Sequence, residues 1–256
     1  MTALATPQFV WYDLMTTDIK AASAFYAKAI GWTIADSGMP GMEYSIITQG
    51  EKQVGGLMPV PPGSEGMPPM WNAYIGVPDV DAHARNAAKL GGTIFRAPMD
   101  IPGVGRFAVI ADPCGATFML FKDSSGMTPE DVPMGAEGHE AWRELMHDDD
   151  AKAWAFYSAL FGWVKGEAYD MGPMGVYQLF NTGGDPTGGM MKRPEGAPPA
   201  NWQLYFGVDA ADAAVARIKA NGGNVLMGPM EVPGGSWVAN CRDPQGALFS
   251  VFSSLK

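Results

Sequence analysis

Histidine and cysteine are scarce in this chain: three His and two Cys among 256 residues. Cys114 and Cys241 cannot frame a disulfide-stapled fold, nor fill a zinc site alone. They are read as reduced thiols, and the protein as cytoplasmic. No apolar run approaches the ~18 residues of a membrane-spanning helix, so none is expected. The stretch from Met1 to Gln8 has neither a basic n-region nor an apolar h-region, so no secretory signal is expected. Basic residues are outnumbered, 17 against 27, which sets the formal charge at −10. Nucleic-acid backbones and anionic membranes both demand clustered Lys and Arg, so neither is expected as a partner. No glycine-rich run precedes a helix carrying Lys-Ser/Thr, which excludes a phosphate loop. Neither cysteine has an evident His partner.

What is present points to a globular fold. Apolar residues make up 47% of the chain, enough for a sizeable core. The 33 Gly and 21 Pro are too turn-rich for a helical bundle. Eighteen Met suit soft core filler or an adaptable apolar cavity. At roughly 100–200 residues per domain, the length fits one large domain or two modest ones.

A duplication decides between these. Trp11-Tyr12-Asp13-Leu14-Met15 recurs as Trp142-Arg143-Glu144-Leu145-Met146, 131 positions later. At the same offset Phe25-Tyr26 matches Phe156-Tyr157, and Gly31-Trp32 matches Gly162-Trp163. Gly55-Gly56 matches Gly188-Gly189 after a short slip. Trp71, Tyr74, Gly76 and Val77 match Trp202, Tyr205, Gly207 and Val208. Asp112-Pro113 and Gly115-Ala116 match Asp243-Pro244 and Gly246-Ala247. Such order at nearly constant spacing marks an internal repeat. The expected domains are 1–122 and 140–256, joined by a linker over 123–139 rich in turn residues and acids.

Each half has a shorter rhythm. Residues 9–15 read as a strand, and Asp18 caps a helix that Gly31 stops. Strands follow at 32–35, 44–48 and 54–58, then a proline-rich loop over 59–69. A strand at 73–77 precedes a second helix opened by Asp79 or Asp81 and closed by Gly91-Gly92. Strands at 93–96, 106–111 and 117–121 complete the half, the last two joined through Asp112-Pro113-Cys114-Gly115. Helices near 149–161 and 209–220 repeat the pattern. The expected fold is α+β, with four βαβββ modules in tandem.

Asp18 with Phe25-Tyr26 and Gly31-Trp32, then Val77-Pro78-Asp79-Val80-Asp81, then Asp112-Pro113-x-Gly115 form an ordered set that recurs in the second half, where Asp209 sits directly after Val208. In it the chain resembles the vicinal oxygen chelate superfamily, which holds glyoxalase I, the bleomycin- and fosfomycin-resistance proteins and the extradiol dioxygenases. The resemblance implies tandem glyoxalase-like domains whose paired modules curl mixed sheets into cups. It also implies ligand positions for a metal in each cup. In the first half these fall on Trp11, Asn72 and Met119, in the second on Trp142, Gln203 and Ser250, with a further carboxylate expected near 54–56 or 188–190. Indole, amide and thioether are poor ligands for zinc, nickel or iron, so no metal and no cofactor is expected. His83 is placed on a helix's solvent face and His139 in the linker. His147, beside Asp148, Asp149 and Asp150, is placed at an acidic helix N-terminus.

Alternation along the strands then populates the cups. Trp11 and Asp13 share a face, as do Trp142 and Glu144, Asn72 and Tyr74, and Gln203 and Tyr205. Met119 and Ser250 complete the floors. Arg106, which has Trp237 at the equivalent position, can meet an anionic group or form a surface salt bridge. Tyr44 and Tyr177 align on a middle strand and are read as core. An aromatic platform with one carboxylate suits a small, apolar or aromatic ligand, and Asp13 and Glu144 are the candidate acid–base groups. The expected function is binding of such a molecule, with metal-free lyase or isomerase chemistry. Sequestration without turnover is the first alternative. A metal-dependent glyoxalase or dioxygenase with unconventional ligands is the second. The expected assembly is a monomer with an internal pseudo-dimer, or a homodimer.

Overall fold

The computed structural model describes residues 6–64, 66–124 and 132–256. The first half begins with β1 (Gln8–Thr16), α1 (Ile19–Ala29), β2 (Thr33–Asp36), β3 (Ser45–Gln49) and β4 (Lys52–Pro59). It continues with β5 (Met70–Gly76), α2 (Val80–Lys89), β6 (Thr93–Ile101), β7 (Gly105–Ala111) and β8 (Thr117–Asp123). The second half repeats both runs. The first is β9 (Glu140–His147), α3 (Asp150–Phe161), β10 (Val164–Asp170), β11 (Val176–Asn181) and β12 (Pro186–Lys192). The second is β13 (Asn201–Gly207), α4 (Ala211–Ala220), β14 (Asn224–Glu231), β15 (Trp237–Arg242) and β16 (Leu248–Ser253). Each run is a βαβββ module, and the fold is α+β with a tandem duplication, as the repeats predict.

The strands form two open, eight-stranded mixed sheets. Their orders are β2-β3-β4-β1-β5-β8-β7-β6 and β10-β11-β12-β9-β13-β16-β15-β14. β1 runs parallel to β4, and β5 parallel to β8, while the hairpins within each module are antiparallel. Of the expected linker, residues 125–131 lie outside the described residues; farther along it, Glu137 bridges to Gly207.

Local chemistry explains the helix limits. Asp18, Asp79 and Asp149 each accept the backbone N–H three residues on, at 2.9, 2.9 and 3.0 Å, and so cap α1, α2 and α3. Helix α4 departs from this. It opens at Ala211 behind Ala210, which has no capping side chain, while Asp209 pairs with Arg217 at 2.6 Å instead. Gly31 (φ +99°) takes the left-handed conformation that ends α1. β6 runs past the expected 93–96 to Ile101, through Pro98. It is the outermost strand of its sheet, where the missing N–H of a proline costs no ladder bond.

The chain divides into two compact units, and each combines a first module from one half with a second module from the other. One unit is Met1–Trp11, Ala73–Glu130 and Arg143–Trp202; the other is Tyr12–Asn72, Asp131–Trp142 and Gln203–Lys256. In the former α2 packs on α3, in the latter α1 on α4.

The repeated motifs are wired together inside each unit. In one, Trp202 Nε1 donates to Tyr157 Oη at 3.0 Å, and Tyr157 Oη donates to Asp112 Oδ2 at 3.1 Å. In the other, Trp71 donates to Tyr26 at 3.0 Å, and Tyr26 to Asp243 at 3.1 Å. The second carboxylate oxygen of Asp112 accepts the backbone N–H groups of Cys114 and Ala116. That of Asp243 accepts those of Gln245, Gly246 and Ala247. Burial pushes both carboxyl pKa values up, against the pull of these donors. Trp163 stacks on Tyr157 and Phe180, and its indole N–H reaches Pro7 O at 2.9 Å; Trp32 reaches Gly138 O at 2.7 Å. Aromatic pairs of this kind add roughly 0.5–1.5 kcal/mol each beyond the area they bury.

Candidate functional site

Asp13 is 3% exposed, on β1, and the β1–β4 register sets it opposite Gly56. Tyr44, just before β3, donates its hydroxyl to Asp13 Oδ1 at 2.7 Å. Gly56 makes room for this pair. A Cβ there would overlap the Tyr44 hydroxyl and stand 2.7 Å from Asp13 Oδ1. The hydrogen bond fixes the carboxylate's orientation. The reading of Tyr44 as core packing is therefore corrected: it is the polar partner of Asp13. The signal in the sequence is the aligned Gly-Gly pair, which leaves space for a phenol beside a carboxylate.

The other unit carries the counterpart. Glu144 is buried on β9, and the parallel register sets it opposite Gly189 of β12. A Cβ on Gly189 would overlap the ring of Tyr177, so that ring covers the glycine facing Glu144. A carboxylate, a tyrosine and a side-chain-free residue thus recur at equivalent places.

Around these pairs the other sequence-derived candidates take definite positions. Trp11 and Trp142 are half-buried, and Asn72 and Tyr74 are buried on β5. Tyr74 lies opposite Met119 of β8, with its ring edge-on to Phe121 at 5.9 Å. Tyr205 lies opposite Ser250 in the same way. Gln203 Nε2 donates to Ser250 Oγ at 2.9 Å, and Ser250 Oγ donates to Asn240 Oδ1 at 2.8 Å. The first half has Asn72, Met119 and Val109 at these places and cannot form that chain. Ser250→Ala is expected to leave both amides short of a partner and to lower unfolding free energy by about 1–3 kcal/mol, checked by urea denaturation. A loss near zero would mean that the chain holds nothing in place.

Arg106 is engaged by carboxylates. Its Nε and Nη2 meet Asp81 at 2.7 and 2.9 Å, and Nη1 meets Asp100 at 2.8 Å. The Arg106 guanidinium holds the Asp81 carboxyl below its usual range. His83, placed by sequence in solvent, is half-buried with its ring parallel to Phe161, 6.3 Å away. His147 is buried, and burial lowers its pKa. Cys241 is buried as well, its thiol pushed up to about 12 by desolvation and so unreactive.

The donor set does not fit a divalent transition metal. At the positions where the resemblance places ligands stand indole, carboxamide, thioether and hydroxyl groups, and Tyr44 fills the space a side chain on Gly56 would need. Among the described residues no three His, Cys, Asp or Glu side chains form a group that could hold a metal ion.

Paired βαβββ modules in open mixed sheets, repeated in tandem, define the glyoxalase-like class of fold. The chain belongs to the Glyoxalase/Bleomycin resistance protein/Dioxygenase superfamily, whose model matches residues 8–120 and 141–251. It is 38% identical to "Putative glyoxylase CFP32" of Mycobacterium tuberculosis, over 94% of this chain and 92% of that protein. It is 33% identical to the anthracycline biosynthesis protein DauV of a Streptomyces species, over 98% and 94%. Among solved structures it resembles the Mn(II)-bound glyoxalase from Novosphingobium aromaticivorans (TM-score 0.66, 17% identity, 99% of this chain and 83% of that one). It also resembles the 2,3-dioxygenase LapB from Pseudomonas sp. KL28 (TM-score 0.65, 14% identity, 98% and 93%). At such identities these structures share the fold alone. No helix among the described residues is long and apolar enough to cross a membrane.

Proposed function

We propose that the chain binds a small, mostly apolar or aromatic molecule beside Asp13 and Glu144, and converts it by metal-free acid–base chemistry of the lyase or isomerase type. The observation that carries this reading is the buried Asp13 carboxylate held by the Tyr44 phenol at 2.7 Å over a glycine, with a carboxylate, a tyrosine and a glycine recurring as Glu144, Tyr177 and Gly189. A carboxylate so placed can take a proton from an acidic C–H or O–H and return it elsewhere on the same molecule. In Asp13 the Tyr44 hydrogen bond sets which oxygen is already occupied and keeps the rotamer fixed before the ligand arrives. Trp11 and Trp142 are assigned as stacking surfaces, and Asn72, Tyr74, Met119, Gln203, Tyr205 and Ser250 as the surrounding wall. Arg106, already paired, is at most an outer contact. DauV, named for anthracycline biosynthesis, supports a fused-ring aromatic ligand. Two free cysteines support a reducing, cytoplasmic setting. The domain limits we adopt are 1–122 and 140–256.

Anthrone tests the reading, being a fused-ring aromatic with an acidic CH₂. Tryptophan fluorescence should report saturable binding. The wild-type protein should speed exchange of the CH₂ protons for solvent deuterium above the buffer rate. Asp13→Asn combined with Glu144→Gln should keep affinity but slow the catalysed exchange by about 100-fold or more. Binding without any acceleration by the wild type would replace conversion with sequestration. No binding to anthrone at all would contradict an aromatic ligand.

A further inference from the structure

His147, the last residue of β9, is 1% exposed. Strand alternation turns it away from Glu144, and its Nε2 lies 3.4 Å from Asp150 Oδ1 in the first turn of α3. A carboxylate only accepts, so the neutral imidazole carries its proton on Nε2. Nδ1 is sealed from solvent and, among the described residues, has no hydrogen-bond partner. A second proton would therefore put a charge, and a donor with no acceptor, into a dry site. Burial lowers the pKa of His147, against the pull of Asp150, Asp112, Asp148 and Asp149. Three of these carboxylates are already committed. Asp149 caps α3 at Lys152 N, Asp112 accepts the Tyr157 hydroxyl at 3.1 Å, and Asp148 pairs with Arg193 at 2.6 Å. The Arg193 N–H donates to His147 O at 2.8 Å. Lys165 lines the same small cavity as His147 and Asp150, with its Nζ 5.3 Å above the Trp154 ring.

The first half has the same scaffold without the imidazole. At the places of His147 and Asp150 stand Thr16 and Ile19, neither of which titrates. Asp18 caps α1 as Asp149 caps α3. Tyr26 of α1 meets Asp243 as Tyr157 of α3 meets Asp112. Burial raises the pKa of both of these aspartates, so their titration bears on the two helices alike.

We propose that His147 is an acid-released latch holding the first turn of α3 on β9, a conformational device present only in the second half. A histidine kept neutral while buried takes up a proton once released. Its contribution to the closed state is complete above the ordinary histidine value of ~6.5 and is lost as the pH falls below it. About one pH unit lower, the released state gains up to about tenfold in population. Hydrogen–deuterium exchange of the whole protein at about pH 7.5 and 5.5 tests this, each rate being divided by the unfolded-chain rate at the same pH. On acidification the protection of α3 should fall at least about threefold more than that of α1. His147→Thr, which installs the first-half residue, should remove the difference. His83, stacked on Phe161 in the last turn of α3, is untouched by that substitution. If the variant fails to fold, the wild-type ring's own titration, followed by NMR, decides: it should lie below ~6.5. The proposal is overturned by a smaller difference between the helices, by a difference that persists in His147→Thr, or by a His147 titration at or above its ordinary value.

Discussion

Asp112→Ala is expected to lower unfolding free energy by about 3–5 kcal/mol, and Asp243→Ala by a similar amount. Asp112 is 3% exposed and accepts two backbone N–H groups and the Tyr157 hydroxyl. Asp243 accepts three N–H groups and the Tyr26 hydroxyl. Removing either carboxylate strands several donors in a dry interior, and the indole upstream in each relay loses the orientation of its phenol. In a chain of this length the loss corresponds to a fall in Tm of roughly 10 °C or more. Asp112→Asn keeps one carbonyl oxygen for the turn and should cost clearly less. Thermal denaturation of the three variants checks this. A loss below about 1 kcal/mol for Asp112→Ala would mean that the Trp–Tyr–Asp relay is incidental to stability.

Gly56→Ala is the second substitution with a large expected effect, and it acts on the candidate site. The new methyl would occupy the place of the Tyr44 hydroxyl and press on Asp13 Oδ1. Tyr44 must swing away, so the 2.7 Å hydrogen bond is lost. Overpacking of this kind costs about 1–3 kcal/mol of stability. It should also slow anthrone exchange at Asp13 by at least about tenfold. Tyr44→Phe separates the two effects, since it removes the hydrogen bond without crowding. It should reproduce the loss of exchange with less loss of stability. Gly56→Ala with unchanged stability and exchange would show that the glycine has no bearing on the site.

The fold was legible because its signals are local and doubled. Strand and helix patterns and the aspartate caps can each be read within a short window, and most recur in the second half, the cap of α2 being the exception. The long-range wiring was not legible. Tyr26 and Asp243 stand 217 positions apart, and each motif appears in sequence as an isolated repeated fragment of its own half. Their union depends on α1 packing against α4 and α2 against α3, which brings modules of different halves together. The sequence pattern ends edge strand β6 at 96, whereas the strand continues through Pro98, where no neighbour needs its N–H. At the site, Asp13 and Glu144 could be placed by alternation alone. Tyr44 could not, because a phenol and an opposing glycine form a polar pair only through the β3–β4 and β1–β4 registers.

We propose that carboxylate–tyrosine pairs, rather than a transition metal, carry ligand binding and proton transfer in this member of the superfamily. The most direct test follows anthrone affinity and deuterium exchange before and after exhaustive dialysis against a chelator, with metal content measured on the same samples. Both quantities should stay within about twofold after chelation, because every proposed binding or proton-transfer group is a side chain of the protein itself. Loss of binding and exchange on chelation, restored by stoichiometric manganese, iron or zinc, would contradict it.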